Sequence, residues 1–446
     1  MITPIYDFVR RYAQSDTVRL HMPGHKGQTG LGCEKLDITE VRGADSLYEA
    51  AGVIAQSEEN ATQLFGTQRT LYSTEGSSQC IRAMLHLCVM LRKSTRSNTI
   101  VAARNVHKAF IYAAALIGFD VVWLWPERMH SLCACPVTAE NLHKTLSELP
   151  APPAAVYVTS PDYLGGMQNL RALADVCHAH DTLLAVDNAH GAYLHFTNPP
   201  LHPMDLGADI CCDSAHKTLP VLTGGAYLHI SPRLPVAFAQ QAKAAMAVYG
   251  STSPSYLTLC SLDLCNATLD STYRKALADI IDAVSHLRQQ LFLSGWKLSQ
   301  GEPLKLTIHA SKSGISGYDL ANRLHRQEVE CEYADPDDVV LMISPQNTVE
   351  DLMRLKSALG LPGDSPRNTQ SLPLPKGAQV LPVRQAIFAP QEIIPAKDAL
   401  GRICAAPTVG CPPAIPIVVS GEEVTQEALA VFAYYGVESV AVVSNT

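Results

Sequence analysis

The feature that most constrains this chain is an alternation of short β-rich runs and helical patterns between about residue 70 and residue 230. Such an alternation predicts an α/β fold with a mainly parallel sheet covered by helices. Sheets of this kind bind ligands beyond the carboxyl ends of their strands, so we expect function in the strand-to-helix loops. The strand candidates are 99–105, 120–125, 154–160, 183–189, 209–215 and 225–230, and two of the helix candidates are 78–93 and 170–180.

A second pattern begins near residue 264, where a long helical stretch leads into two short β-rich runs separated by a helix. This order predicts a smaller α/β unit. The stretch that follows it is rich in Pro, Gly and polar residues and is typical of a linker. The predicted division is an N-terminal arm (1–36), a large domain (37–263), a small α/β domain (264–358), a linker (359–379) and a C-terminal domain (380–446).

Composition narrows the class of protein. The 446 residues are 47% hydrophobic and 17% charged, which is typical of a globular chain. The net charge is −8 and the basic residues are dispersed, so we expect neither a nucleic acid nor a membrane as partner. The start has no signal-peptide pattern, which favours a cytoplasmic location. The 13 cysteines are odd in number and lack metal-ligand spacing, so we expect reduced thiols and no metal.

The motif "HMPGHKG" near the start contains two histidines, His21 and His25, four residues apart. On a helix this spacing would place two imidazoles on one face as a possible metal pair. Pro23 and Gly24 lie between them and make a helix improbable. The motif therefore predicts a shaped loop, which serves either ordinary turn chemistry or a site.

Two loops follow early strand candidates. "STEGSSQC" places Gly76, Ser77 and Ser78 at the start of a helix, where backbone N–H groups, the helix dipole and hydroxyls can hold a phosphate. The alternative is that a serine there is simply an N-cap. "ARNVHKAF" ends a strand with His107, whose plain interpretation is a polar loop residue.

Two further loops follow the next hydrophobic strands. Asp187 ends one strand and His190 follows it; the acid can cap a helix or pair with a cationic heterocycle. The next strand leads into Ser214, His216 and Lys217, and the apolar runs around this lysine argue against a solvated surface charge. A phosphate cradle, an imidazole, an acid for a ring nitrogen and a lysine for a Schiff base are together what pyridoxal phosphate requires.

In order and spacing these residues resemble those of fold-type I pyridoxal-phosphate enzymes. More narrowly, the chain resembles the ornithine/lysine/arginine decarboxylase family in its short form, without an N-terminal receiver-like domain. The resemblance covers nearly the whole chain. It is carried by "HMPGHKG", "DITEVRGADSL", "LFGTQRT", "RNVHK", "VDNAHGA", "SAHKTL", "STSPSYLTLCSLD" and "GRICAAP…CPPAIP".

The resemblance implies roles for individual residues. Lys217 is the lysine that forms the Schiff base, and Asp187 is the partner of the pyridinium nitrogen. His107 stacks on the cofactor ring and His190 lies near its phenolic oxygen. Ser251 and Thr252 reach the phosphate of a partner subunit, which implies a homodimer or a higher homo-oligomer. The residues implied on the phosphate side are Gly76, Ser77, Ser78, Ser214 and His216.

The implied activity is decarboxylation of arginine, lysine or ornithine to the amine and CO2, as in polyamine biosynthesis. A cationic substrate side chain calls for a carboxylate, and Glu332 and Asp45 are the candidates, although each is equally well a solvated acidic loop residue. His25 belongs to the loop that is expected to close over the pocket. Lys217 and His107 are both candidate proton donors. The alternatives are another pyridoxal-phosphate reaction, such as that of a lyase or aminotransferase, or a non-catalytic cofactor-binding homologue.

The chain departs from the family pattern in a few places. Asn188 stands where the family usually has a glutamate, and Gly224 and Gly225 stand where a Gln-containing segment is usual. The C-terminal "PYPPGIP" is replaced by residues 410–416, and "PGE" by residues 420–422. The cofactor residues are thus retained while peripheral ones differ.

Overall fold

The structure is a computed structural model that describes residues 1–28, 30–367, 371–407 and 413–444. Residues 368–370 of the predicted linker and residues 410–412 of the altered C-terminal motif lie outside the described residues. The helices are α1 (Pro4–Ala13), α2 (Val53–Phe65), α3 (Ser77–Met90), α4 (Lys108–Ala113), α5 (Ala139–Glu148), α6 (Leu170–Ala179), α7 (Ala215–Thr218), α8 (Val236–Val248), α9 (Tyr256–Ser271), α10 (Tyr273–Leu293), α11 (Gly317–His325), α12 (Val349–Leu359), α13 (Val383–Phe388) and α14 (Gln426–Tyr434). The strands are β1 (Arg69–Ser73), β2 (Thr99–Ala103), β3 (Asp120–Leu124), β4 (Ala155–Thr159), β5 (Leu183–Asp187), β6 (Ile210–Asp213), β7 (Ala226–Ile230), β8 (Lys305–His309), β9 (Tyr333–Ala334), β10 (Asp338–Met342), β11 (Gln391–Pro395) and β12 (Ser439–Val443).

The chain packs as two compact units, of which unit 1 comprises Met1–Arg96 and Leu170–Leu277. Its strands follow the order β1–β7–β6–β5. β5 and β6 run parallel, whereas β7 is antiparallel to both β6 and β1. Helix α3 packs on β5, β6 and β7, and buries a stripe that includes Ile81, Met84 and Cys88. The spacing of this stripe is that of an amphipathic helix. The helix begins at Ser77, four residues after the end of β1 at Ser73.

Unit 2 comprises Ser97–Asn169 and Ala278–Thr446. Parallel strands follow the order β4–β2–β3, a second sheet follows the antiparallel order β8–β10–β9, and β11 pairs with β12. Buried side chains from the C-terminal part of the unit form a core of their own. Its members include Ala399, Cys404, Ile417, Val424, Val431, Phe432, Val440 and Val442.

The predicted strand and helix positions between 78 and 230 are confirmed, with ends that differ by a few residues. The predicted α/β class is also confirmed, but β1 was missed, and it makes the edge beside β7 antiparallel. The predicted domain ranges stay predictions. The cysteines of the described ranges are free thiols, most of them buried. Within the described part of the chain, no helix has both the length and the apolar character that crossing a membrane requires.

Candidate active site

The start of α3 is the predicted phosphate site, and we call it the phosphate cradle after that prediction. Gly76 precedes the helix with φ +70°, a conformation that favours glycine, and its N–H donates to the carbonyl of Gly224 at 2.7 Å. Ser77 and Ser78 are the first two residues of the helix. Ser214 Oγ, from the loop after β6, donates to Ser77 Oγ at 2.7 Å. Two hydroxyls therefore meet at the positive end of a 14-residue helix, an arrangement that suits an anion.

Asp187 is the last residue of β5 and is 2% exposed. Its Oδ1 accepts a hydrogen bond from the N–H of Ala189 at 3.2 Å and lies 3.9 Å from Cys212 Sγ. Burial raises the pKa of the Cys212 thiol, so that the sulfur keeps its proton and acts as the donor. A buried carboxylate at a strand end is a suitable partner for a cationic N–H of a ligand.

Lys217 and His190 lie in contact across two neighbouring loops of unit 1. The distance from Lys217 Nζ to His190 Nε2 is 3.0 Å. Lys217 lies on the single turn α7 after β6, and His190 follows the end of β5. Because β5 and β6 are parallel neighbours, their carboxyl ends bring the two loops together. The contact pairs a primary amine with an imidazole nitrogen that can accept a proton.

His216 lies beside the phosphate cradle. A Cβ added at Gly76 would lie 3.9 Å from His216 Cε1, which places the imidazole next to the start of α3. Its Nδ1 donates to the carbonyl of Gly225 at 3.0 Å. Burial lowers the pKa of His216, so the ring is neutral near pH 7 with its proton on Nδ1. The opposite nitrogen is thereby left as an acceptor.

Ser251 and Thr252 are exposed side chains in the loop before α9. The N–H of Ser251 donates to a carboxylate oxygen of Glu75, which directly precedes Gly76. The loop is therefore anchored beside the phosphate cradle of its own chain. Its predicted reach toward a partner subunit stays a prediction.

The "HMPGHKG" segment forms turns rather than a helix, as predicted. His21 Nε2 lies 2.5 Å from the hydroxyl of Tyr12, and His25 Nε2 lies 3.1 Å from Asp37 Oδ2. His25 Nδ1 in addition accepts from the N–H of Gly27 at 3.0 Å. The two imidazoles thus have different partners. Both nitrogens of His25 have partners within residues 25–37.

Asp45 contacts backbone N–H groups around the start of α2. It adopts φ +78°, and its carboxylate accepts from the N–H groups of Ala51 at 3.0 Å, Gly52 at 2.8 Å and Ile54 at 3.0 Å. Hydrogen bonds from backbone N–H groups, despite burial, lower the pKa of Asp45 and keep it ionised. With the N–H of Ala55 at 3.3 Å, these contacts satisfy N–H groups in the first turn of α2 and just before it, so we leave Asp45 out of the substrate contacts proposed below.

Two predicted site residues belong to unit 2. His107 is the N-cap of α4, and its Nδ1 accepts from the N–H of Ala109 at 3.1 Å, so a neutral ring carries its proton on Nε2. Glu332 is exposed and directly precedes β9. Its Oε1 accepts from the hydroxyl of Tyr163 at 2.6 Å. Their predicted roles toward a ligand stay predictions.

Sequence reasoning missed a buried polar cluster behind the site loops of unit 1. The side chain of Asn188 donates to Asp213, and both His202 and His229 also contact this carboxylate. Two imidazoles and an acid inside apolar runs were the available signal, since such residues are rarely buried without partners.

The chain was compared with known protein families and structures. The family described as "Orn/Lys/Arg decarboxylase, major domain" matches residues 3–305. The arginine decarboxylase of Bacillus subtilis is 28% identical over 457 residues, which cover 95% of this chain and 92% of that protein. The solved lysine decarboxylase LdcF of Francisella novicida has a TM-score of 0.79 at 16% identity and covers 99% of this chain and 81% of its own. A solved structure of SPT with PLP has a TM-score of 0.55 at 13% identity and covers 80% of this chain and 83% of its own. These structural likenesses confirm the fold.

Proposed function

Because this chain belongs to the Orn/Lys/Arg decarboxylase family, we propose that it is a pyridoxal-phosphate-dependent decarboxylase of a basic amino acid. Arginine is the first candidate substrate, since the Bacillus subtilis relative of nearly equal length is named arginine decarboxylase. Lysine and ornithine are the other two. The observation that carries the proposal is the 3.0 Å contact between Lys217 Nζ and His190 Nε2 at the ends of two parallel strands.

The side chains of unit 1 fit this cofactor in their chemistry. The hydroxyls of Ser77 and Ser214 meet at the positive end of α3, where they would hold the phosphate. The buried carboxylate of Asp187 would hold the protonated ring nitrogen. Lys217 offers a primary amine for the aldehyde carbon. The phosphate, the ring nitrogen and the aldehyde would therefore each have a chemically suitable partner in unit 1.

The bound cofactor supplies an electron-withdrawing ring for the electron pair that departing CO2 leaves behind. The protein residues prepare and protect this chemistry. Asp187 would keep a proton on the ring nitrogen, and its burial in unit 1 would strengthen that charge-assisted hydrogen bond. The contact with His190 Nε2 orients the Lys217 amine and offers an acceptor for the proton that the amine loses when it attacks. Lys217 and His107 remain the two candidate proton donors.

We assign two further roles from unit 2 as part of the proposal. His107 is to lie on the face of the cofactor ring, a position supported by the fixed orientation that its N-cap bond imposes. Glu332 is to bind the cationic end of the substrate, supported by the Tyr163 hydrogen bond that holds its carboxylate.

The test is a product assay with purified protein, pyridoxal phosphate and a panel of amino acids. We expect agmatine from arginine, cadaverine from lysine or putrescine from ornithine. Lys217→Arg keeps the charge but should abolish turnover, and Lys93→Arg on the surface is the matched control. CO2 release only from neutral or acidic amino acids would overturn the proposed substrate class. A transaminated or eliminated product would instead support the alternative reactions.

We also propose a cytoplasmic homodimer. The support is the exposed loop at Ser251 and Thr252, which is anchored beside the phosphate cradle through Glu75. Sedimentation of the active protein tests the assembly, and an active monomer would contradict it.

A further inference from the structure

Four buried side chains in unit 1 form what we call the Asp213 cluster: Asp213, Asn188, His202 and His229. All four are fully buried. Asp213 Oδ1 accepts from Asn188 Nδ2 at 2.7 Å. Asp213 Oδ2 lies 3.0 Å from His202 Nε2 and 3.1 Å from His229 Nε2. One carboxylate therefore receives three N–H donors in the interior.

The hydrogen bonds define the protonation of the cluster. His202 Nδ1 accepts from the N–H of Met204 at 3.3 Å, so the proton of this imidazole is on Nε2 and points to Asp213. His229 Nδ1 lies 2.9 Å from the hydroxyl of Thr70, which can donate to it. Burial works against ionisation of Asp213, but the two imidazoles hold the pKa of that carboxyl well below its ordinary value. Asp213 is thus a carboxylate that only accepts.

A metal site is a weaker interpretation of the same residues. Potential ligand atoms of His202, Cys211 and Asp213 lie within 4.8 Å of one another. However, a metal would have to replace the proton that His202 donates to Asp213. Burial also raises the pKa of the Cys211 thiol, which disfavours the thiolate that a metal requires. Hydrogen bonding accounts for the cluster without an ion.

The cluster ties together the two loops that carry the site. Asn188 directly follows Asp187 at the end of β5, and Asp213 ends β6 directly before Ser214. The N–H of Asn188 donates to the carbonyl of Cys212 at 2.9 Å, which continues the ladder between the strands. The hydrogen bond from the Asn188 side chain to Asp213 joins the two strands one residue further along. The loops on either side of it carry His190 and Lys217.

We propose that Asn188 and Asp213 are positioning residues: their hydrogen bond, supported by the two imidazoles, sets the spacing of the β5 and β6 loops and so maintains the contact between Lys217 and His190. An acid at position 188 would place a second buried carboxylate against Asp213, so this contact requires an amide there. The inference rests on the proposed function only in treating Lys217 and His190 as site residues.

The test measures the environment of Lys217 without using turnover. The full-length chain is treated with hydroxylamine to clear Lys217 of any carbonyl compound. An amine-acylating reagent is then added, and labelling of Lys217 is followed by peptide mass spectrometry. Asn188→Asp places a second carboxylate against that of Asp213. We expect this variant to change the Lys217 labelling rate at least threefold. The double variant Asn188→Asp/Asp213→Asn exchanges donor and acceptor, and we expect a rate within twofold of the wild type.

The matched control is Asn266→Asp, since Asn266 is another buried amide of unit 1 that bonds the hydroxyls of Tyr72 and Tyr227. It should lower the melting temperature but leave Lys217 labelling unchanged. If Asn188→Asp does not fold, Asn188→Gln is used in the same assay. Three results would overturn the proposal: unchanged labelling in the position-188 variants, a double variant no closer to wild type than the single one, or one tightly bound metal ion per chain.

Failure of this test differs from failure of the proposed function. If no amine is formed from any amino acid but the labelling results hold, the cluster still positions Lys217 and only the assigned reaction is wrong. If amines are formed and labelling is insensitive to position 188, the reaction stands and the positioning role is wrong.

Discussion

Lys217 Nζ lies 3.0 Å from His190 Nε2, although 27 residues of chain separate the two. The contact follows from parallel pairing of β5 and β6, which directs both strand ends to the same edge. It also limits what the lysine can do. The imidazole nitrogen offers an acceptor for the proton that the amine loses on nucleophilic attack, and it holds the lysine in one orientation.

We therefore predict that pyridoxal phosphate attaches covalently to Lys217. Borohydride reduction of the protein incubated with cofactor, followed by peptide mapping, should place the pyridoxyl label on this residue. Lys217→Ala should lose the label and all turnover. Label in another peptide, or in none, would show that the assignment is wrong.

A second prediction concerns Asp187. Asp187→Asn keeps the size of the buried side chain and its hydrogen bond from the N–H of Ala189, so the protein should fold. The amide no longer favours a protonated ring nitrogen, and we expect kcat to fall by about 100-fold or more, since a charged hydrogen bond is worth roughly 1.5–3 kcal/mol and the ring also loses its positive charge. Cofactor absorbance and steady-state kinetics check both parts. Turnover within threefold of wild type would show that the carboxylate has another role.

Much of the fold could be predicted because periodicity is a local signal. Six β-rich runs and the stripe Ile81, Met84 and Cys88 on α3 each contain the information within one element. β1 was missed because its membership depends on β7, more than 150 residues away, to which it pairs antiparallel. Strand pairing at such distance leaves no local pattern.

The site shows the same division between local and long-range information. The loops that contain Asp187 and Lys217 could be recognised from residue types after strands. The local contacts of Asp45 and His25 could not, because an acid that bonds the backbone near α2 and an acid that binds a substrate are the same residue type. The Asp213 cluster was missed because its members come from four separate positions and meet only when β6 pairs with β7.

A third prediction concerns the pH dependence of stability. Asp263 on α9 is 1% exposed and accepts from the N–H groups of Ile5 and Tyr6 at the start of α1, at 2.9 Å each. Burial raises the pKa of this carboxyl to about 6. The folded state therefore binds the proton more tightly than the unfolded state does. Stability from this group is present at low pH and is lost as the pH rises through about 4 to 6.

The hydroxyl of Ser57 also donates to Asp263 Oδ1, at 2.5 Å. Asp263→Asn removes the titration, while the amide oxygen can still accept from α1 and the amide NH2 can donate to Ser57 Oγ. We expect the variant to gain stability relative to wild type between pH 4 and pH 7, by ~3 kcal/mol at most for a shift of two pKa units. Denaturant unfolding at several pH values measures the difference. Asp270→Asn, an exposed acid on the same helix, is the control. A difference between Asp263→Asn and wild type that does not change with pH would contradict the prediction.

The last prediction concerns the substrate contact proposed for Glu332. Its carboxylate accepts from the hydroxyl of Tyr163 at 2.6 Å, so one oxygen is oriented while the residue stays exposed. Glu332→Gln keeps the shape but removes the charge that would bind a guanidinium or ammonium group. Since hydrogen bonds to charged groups contribute about 1.5–3 kcal/mol, KM for the basic substrate should rise by roughly 10- to 100-fold with a smaller change in kcat. Tyr163→Phe should have a weaker effect in the same direction. Glu330→Gln, two residues away and paired with His325 at the surface, is the matched control and should leave KM unchanged. If Glu332→Gln and Glu330→Gln behave alike, the cationic end of the substrate is bound elsewhere, while the roles of Lys217 and Asp187 are unaffected.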